Sequence, residues 1–187
     1  CLGMVSVLLV LPFQKGVDWL FPGMIFIPVI LWSILEEIFK FGAGYFGGLH
    51  SVEDNEPLDP IIYMITAALG FVALENTLFI LGPLLGEDIP RTLITGNLRF
   101  IGASLLHVVC SGLIGVMIAF NFYENIFKKF KKVLLGLLLA IVFHAIFNLL
   151  ILTKGELGSM IAFISVWGGV VWLLWTFERA KAIAPRT

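Results

Sequence analysis

Long apolar runs separated by short polar breaks dominate the chain, and their lengths predict its architecture. The runs cover residues 1–13, 21–46, 61–85, 100–122, 133–153 and 159–177. A helix needs about 20 apolar residues to cross a hydrocarbon core of about 30 Å, a length every run but the first approaches or exceeds. Residues 1–13 read as the end of a first spanning helix, and residues 14–19, with Lys15 and Asp18, as a turn. Pro22 suits the start of the second helix, and Pro28 is placed to kink it. The fourth helix is expected to reach back to about residue 91, its first and more polar turns lying along the interface. The expected fold class is all-α, a polytopic transmembrane helix bundle with about six spanning helices. No repeat or low-complexity tract divides it, so residues 1–187 are expected to form one integral-membrane domain.

Composition strengthens the membrane assignment. Of 187 residues, 59% are hydrophobic and 13% charged, where a soluble domain carries about 25% charged residues. A net charge of −1 gives no reason to expect nucleic-acid binding. Cys1 and Cys110 lie far apart in apolar surroundings, without CxxC spacing, which argues against a disulfide framework or a zinc finger. The first residue is not Met, so a fragment or a lost N-terminus is expected; no signal-peptide pattern is visible.

Lys and Arg near helix ends favour the cytoplasmic side. In a six-helix topology Lys128, Lys129, Lys131, Lys132, Arg179, Lys181 and Arg186 fall on one side, and Lys15, Arg91, Arg99 and Lys154 on the other. The C-terminus, the acidic loop at 50–60 and the N-terminus are therefore expected in the cytoplasm. Trp167, Trp172, Trp175 and Phe177 suit an interfacial aromatic belt. The glycines between residues 42 and 48 suit close helix packing.

Ionisable residues inside the apolar runs carry the functional signal. Helix two has Glu36, Glu37 and Lys40, and helix three has Glu75 and Asn76. Helix four has His107 and Ser111, and helix five has His144 and Asn148. Each charge at a bilayer centre costs roughly 2.5–3.5 kcal/mol on insertion scales. Helix six has no such residue between Met160 and Phe177, so one site among helices two to five is expected. Residues three or four apart share a helical face, which groups Glu36 and Glu37 with Lys40, His107 with Ser111, and His144 with Asn148. At about 1.5 Å per residue, His144 lies roughly 18 Å from Lys132 and 15 Å from Lys154, near mid-membrane. The same count places Glu36 roughly 21 Å from Pro22, toward the inner side, and Glu75 roughly 21 Å from Ile61, toward the outer side.

Two chemistries fit these residues. His, His and Glu form a common catalytic zinc set with one position open for water, and a remaining glutamate can act as base. Without a metal, a glutamate–histidine pair can deprotonate water while the other histidine and Asn148 bind the oxyanion. Both hydrolyse a peptide bond inside the membrane. Individually, Asn76, Ser111 and Asn148 are ordinary polar contacts between helices, Glu36 with Lys40 is a structural ion pair, and Glu75 neutralises Lys40. Proton-coupled transport is the chemical competitor.

The motifs EExxK (Glu36, Glu37, Lys40), FxxxEN (Phe71, Glu75, Asn76), HxxxS (His107, Ser111) and HxxxN (His144, Asn148) follow one another on successive helices. That set, within residues 21–150, resembles the PrsW family of bacterial intramembrane proteases, relatives of the CAAX prenyl endopeptidases and bacteriocin-processing proteins. The resemblance implies an integral protein of a bacterial or archaeal cell membrane. It implies cleavage of a membrane-bound substrate of the anti-sigma-factor kind within the lipid bilayer, with no nucleic acid involved. It makes Glu36 and Glu37 the catalytic carboxylates and Lys40 their orienting charge. His107, His144 and Glu75 become zinc ligands, or the histidines serve a metal-free glutamate mechanism as in the prenyl endopeptidase branch. That branch has FxxxH where this chain has Glu75, and an arginine near the place of Lys40, so prenylated substrates are less expected. The wider family includes relatives thought to act as scaffolds that bind transmembrane helices without cutting them.

Overall fold

The computed structural model describes residues 1–86, 89, 90, 93 and 99–184. Among these the chain forms six long helices and no strand: α1 (Leu2–Leu20), α2 (Phe26–Gly44), α3 (Asp59–Leu85), α4 (Ser104–Ala119), α5 (Ile126–Thr153) and α6 (Gly155–Ala180). The π-helical turns Tyr45–Leu49 and Arg99–Ala103 extend α2 and lead into α4. Among the described residues five segments are long and apolar enough to cross a membrane: Leu2–Leu20, Asp59–Leu85, Phe100–Ala119, Ile126–Thr153 and Gly155–Ala180. Leucine, phenylalanine and valine side chains such as Leu8, Phe46, Leu138 and Val171 are exposed, as a lipid-facing surface requires. The chain is an integral-membrane all-α bundle.

Helix boundaries differ from the hydropathy runs where polar residues extend a helix. α1 continues through residues 14–19 instead of turning there, and ends at Phe21, whose N–H bonds Val17 O at 3.0 Å. Gln14, Lys15 and Asp18 are thereby helical. α2 begins at Phe26, so Pro28 falls in its first turn. There a missing N–H removes no helical hydrogen bond and gives no cause for the expected kink. α5 begins at Ile126 because Asn125 caps it, Oδ1 accepting from Lys128 N at 3.0 Å. Lys128, Lys129, Lys131 and Lys132 therefore ride on the first turns of α5. Only Lys154 separates α5 from α6, and Gly155 (φ +56°) supplies the left-handed conformation that so short a junction needs. The polar turns expected at the start of helix four lie almost wholly outside the described residues, as does Arg186.

α4 is the centre of the bundle, packed against α3, α5 and α6. A Cβ on Gly115 would lie 2.7 Å from Pro60 O and Ile61 Cα, so only glycine permits that approach to α3. Toward α5, Cys110 Sγ donates to Ala140 O at 3.6 Å, and Met64, Leu106, Ile114 and Phe147 join it in the main core cluster. Both cysteines are free thiols. α1 lies against α2 and α3, meeting α3 where Gly70 sits against Gly3. Gly44 packs against Met64 of α3, in keeping with the close packing expected of the 42–48 glycines. These contacts turn the middle of α2 toward α3, α4 and α5.

Candidate active site

A cavity of about 440 Å³ opens among α1 to α5. Its lining includes Glu36, Glu75, His107, His144 and Asn148, together with Gln14 of α1. Counted from its observed start at Phe26, Glu36 lies about 15 Å along α2, which narrows the depth gap implied by residue counting. The expected site among helices two to five is assembled, and α1 adds a fifth wall.

Two layers make up the site. In the deeper one Lys40 and Glu37, both fully buried, lie 2.5 Å apart (Nζ to Oε1). Lys40 Nζ is also 2.8 Å from His107 Nδ1, and Glu37 Oε1 is 2.6 Å from His144 Nδ1. Neither Lys40 nor Glu37 lines the cavity. In the cavity-facing layer His107 Nε2 is 3.3 Å from Glu75 Oε2, and His144 Nε2 is 3.6 Å from Glu36 Oε2. The two imidazoles meet edge to face, with centroids 5.1 Å apart. Phe71 closes the floor, 5.5 Å from the His107 ring centroid and beneath Lys40 Nζ at 5.5 Å. The adjacent glutamates thus have different surroundings. Glu36 faces the cavity and Glu37 stands behind His144.

The remaining predicted residues divide likewise. Asn148 lines the cavity one turn beyond His144. Ser111 is fully buried outside that lining, its Oγ without a hydrogen-bond partner among the described residues. Asn76 turns away from the cavity lining to donate to Ser104 Oγ at 3.1 Å. Two further residues escaped the sequence reading. Gln14 Nε2 donates to Glu36 Oε1 at 2.8 Å. Trp32, one turn before Glu36, lines the cavity with its indole N–H buried and without a partner among the described residues. Trp32 was legible in principle, four residues before Glu36 and so on its face; Gln14 was hidden by the reading of its segment as a turn.

The family model for PrsW family intramembrane metalloproteases matches residues 1–176. The chain belongs to this family. Over 143 residues it is 29% identical to a protein named Protease PrsW from Halalkalibacterium halodurans, covering 73% of this chain and 60% of that one. Over 129 residues it is 30% identical to Protease PrsW of Geobacillus kaustophilus, covering 67% and 52% respectively. A third Protease PrsW, from Shouchella clausii, is 27% identical over 177 residues, covering 94% and 76%. The chain thus spans about half to three quarters of the length of these PrsW proteins. No solved structure matches it.

The PrsW family description implies a metal, and the donor set suits one. Donor atoms of Glu36, His107 and His144 lie within 4.8 Å of one another, all three buried. A carboxylate only accepts hydrogen bonds, so His144 Nδ1 donates to Glu37 and, in the neutral ring, Nε2 keeps its lone pair. A carboxylate behind a histidine whose other nitrogen is open is the usual outer-shell arrangement of metal-binding imidazoles. Zinc ligands at about 2.0–2.2 Å in tetrahedral geometry lie roughly 3.4 Å apart, comparable with the 3.6 Å between Glu36 Oε2 and His144 Nε2.

Proposed function

We propose that the chain carries the active site of a PrsW-type intramembrane endopeptidase that hydrolyses a peptide bond of a membrane-bound protein. The observation carrying this reading is the convergence of Glu36, Glu75, His107 and His144, from four helices, on one cavity within the bundle. Structural ion pairs alone do not require a cavity, whereas hydrolysis needs space for a water and a peptide beside its acid and base.

The cavity-facing residues carry the chemistry. Glu36 is the base that removes a proton from water, with Gln14 holding its carboxylate in place. Glu37 and Lys40 do not meet substrate; they orient His144 and His107 from behind. His107 and Asn148 face the position where negative charge develops on the scissile carbonyl, and hydrogen bonds there favour the transition state over the substrate. In the metal form Glu36, His107 and His144 would instead hold a zinc ion, which when bound polarises the carbonyl and acidifies water, and Glu75 would take over as base. Glu75, beside His107 Nε2, is placed to exchange a proton with that ring. The cavity lining continues to Lys15, Asp18 and Leu152 near the ends of α1 and α5. These ends lie across the bundle from Lys128 and Lys132. With the basic side in the cytoplasm, a single-span substrate of the anti-sigma-factor kind presents its scissile bond from the outer half of the bilayer.

Purified protein in micelles with a susceptible single-span substrate tests this reading. The double substitution Glu36→Ala, Glu37→Ala should abolish cleavage, and cleavage at the wild-type rate would overturn it. Zinc requirement is tested separately. Stoichiometric zinc lost on His144→Ala supports the metal form, and full activity in strong chelator excludes it.

A further inference from the structure

We infer that the buried Lys40–Glu37 pair fixes the two cavity histidines in opposite tautomers, so that His144 offers a lone pair and His107 an N–H to the same cavity. Lys40 as an ammonium has donors and no acceptor, and the Glu37 carboxylate lies 2.5 Å from it as counter-ion. The nitrogen it meets at 2.8 Å, His107 Nδ1, must therefore accept. A neutral imidazole that accepts at Nδ1 carries its proton on Nε2, the nitrogen facing Glu75 at 3.3 Å. At the other end of the pair the sign is reversed. Glu37 Oε1 accepts from His144 Nδ1 at 2.6 Å, which in the neutral ring leaves the lone pair on Nε2, toward Glu36.

One ion pair, with a donor at one end and an acceptor at the other, thus differentiates two chemically identical side chains. Both hydrogen bonds are buried, so water does not compete for either. The division separates their work. His144 takes a proton or a cation, whereas His107 donates a hydrogen bond to an oxyanion. His107 could act as a ligand only if Lys40 passed a proton to Nδ1 while Nε2 gave its own to Glu75, so that the ring stayed neutral. Lys40 and Glu37 are positioning residues in this scheme, acting through the rings. The catalytic meaning rests on the hydrolytic reading above, but the tautomers themselves do not.

Ring nitrogen NMR decides the matter without substrate. The chain has three histidines, His50, His107 and His144, so full-length protein labelled with [15N]histidine and studied as purified in micelles gives few signals. His50→Gln, His107→Gln and His144→Gln assign them. His107 should show a protonated Nε2 and a lone-pair Nδ1, and His144 the reverse. The same tautomer on both rings, or a lone pair at His107 Nε2, overturns the inference. Lys40→Met should move His107 toward the Nδ1–H form while leaving His144 Nδ1 protonated. An unchanged His107 tautomer in folded Lys40→Met removes Lys40 from the scheme. If that variant does not fold, Lys40→Arg, also donor-only, should preserve the wild-type pattern, and a tautomer change there counts against it. Lost cleavage with the expected tautomers refutes the protease reading alone.

Discussion

Glu36 and Glu37 are neighbours in sequence, yet about 100° apart around a helix, and that angle gives them different tasks. Glu36 reaches the cavity, so Glu36→Gln should lower the cleavage rate by about 10²–10⁴-fold, the range of a lost general base. Gln14 supports it from a different helix. Gln14→Leu should lower kcat about 10–100-fold, as loss of an outer-shell partner does, with little change in KM. Trp32→Phe should instead raise KM, because the cavity loses one buried N–H and keeps its acid and base. Steady-state kinetics on one substrate separates the two outcomes. The motif residues were legible because an ionisable side chain in lipid is expensive and needs a reason. Which glutamate faces which histidine was not legible: Lys40 lies three residues from one and four from the other, and both spacings allow a pair.

At the scale of the elements, hydropathy found the helices and misplaced their ends. Its breaks fell at polar residues, but a helix satisfies its own backbone and carries a few charges across the interface without ending. α1 does so through Lys15 and Asp18, and α5 through its lysines. The consequence for α1 is functional, since its last turns hold Gln14. Its seat on α3 is tight. A Cβ on Gly3 would lie 2.9 Å from the backbone N of Phe71, whereas nothing lies within 4 Å of one on Gly16. Gly3→Val should therefore destabilise the fold by about 1–3 kcal/mol and depress activity, while Gly16→Ala, inside α1 with open space around it, should not lower the thermal unfolding midpoint in micelles.

The acidic loop between α2 and α3 carries a pH dependence of its own. Burial, reinforced by Asp59 and opposed by Lys129, pushes the Asp54 carboxyl from 3.8 up to about 6. A raised carboxyl pKa means that the folded loop holds its proton more tightly than the unfolded one, so its stability falls as pH rises from about 4 to about 6 and is constant above. Hydrogen exchange in residues 50–58, corrected for intrinsic rates, should show that loss, and Asp54→Asn should remove it.

For the whole molecule, the basic first turns of α5 and the acidic loop share one side, since Lys129 lies close enough to Asp54 to act on its charge. The polar lining at Lys15 and Asp18 occupies the other. A cysteine placed at Lys15 should react with a membrane-impermeant reagent from outside intact cells, and one placed at Lys131 only after lysis. That the acidic loop and the basic turns share a side was legible from run lengths, but residue counting could not assign one depth to residues on four helices. The burial of Lys40 has a further consequence, for biogenesis. Among the described residues α2 is the one long helix that does not qualify as a span by itself. It carries the three charges of Glu36, Glu37 and Lys40, and although Gln14 of α1 already meets Glu36, the histidines that meet Glu37 and Lys40 lie on helices made later. α2 therefore depends on His107 and His144 for its place in the bilayer. A nascent chain stopped before α5 should hold α2 loosely at the membrane surface, open to quality-control proteases, and a finished chain that keeps α2 buried has already built its active site.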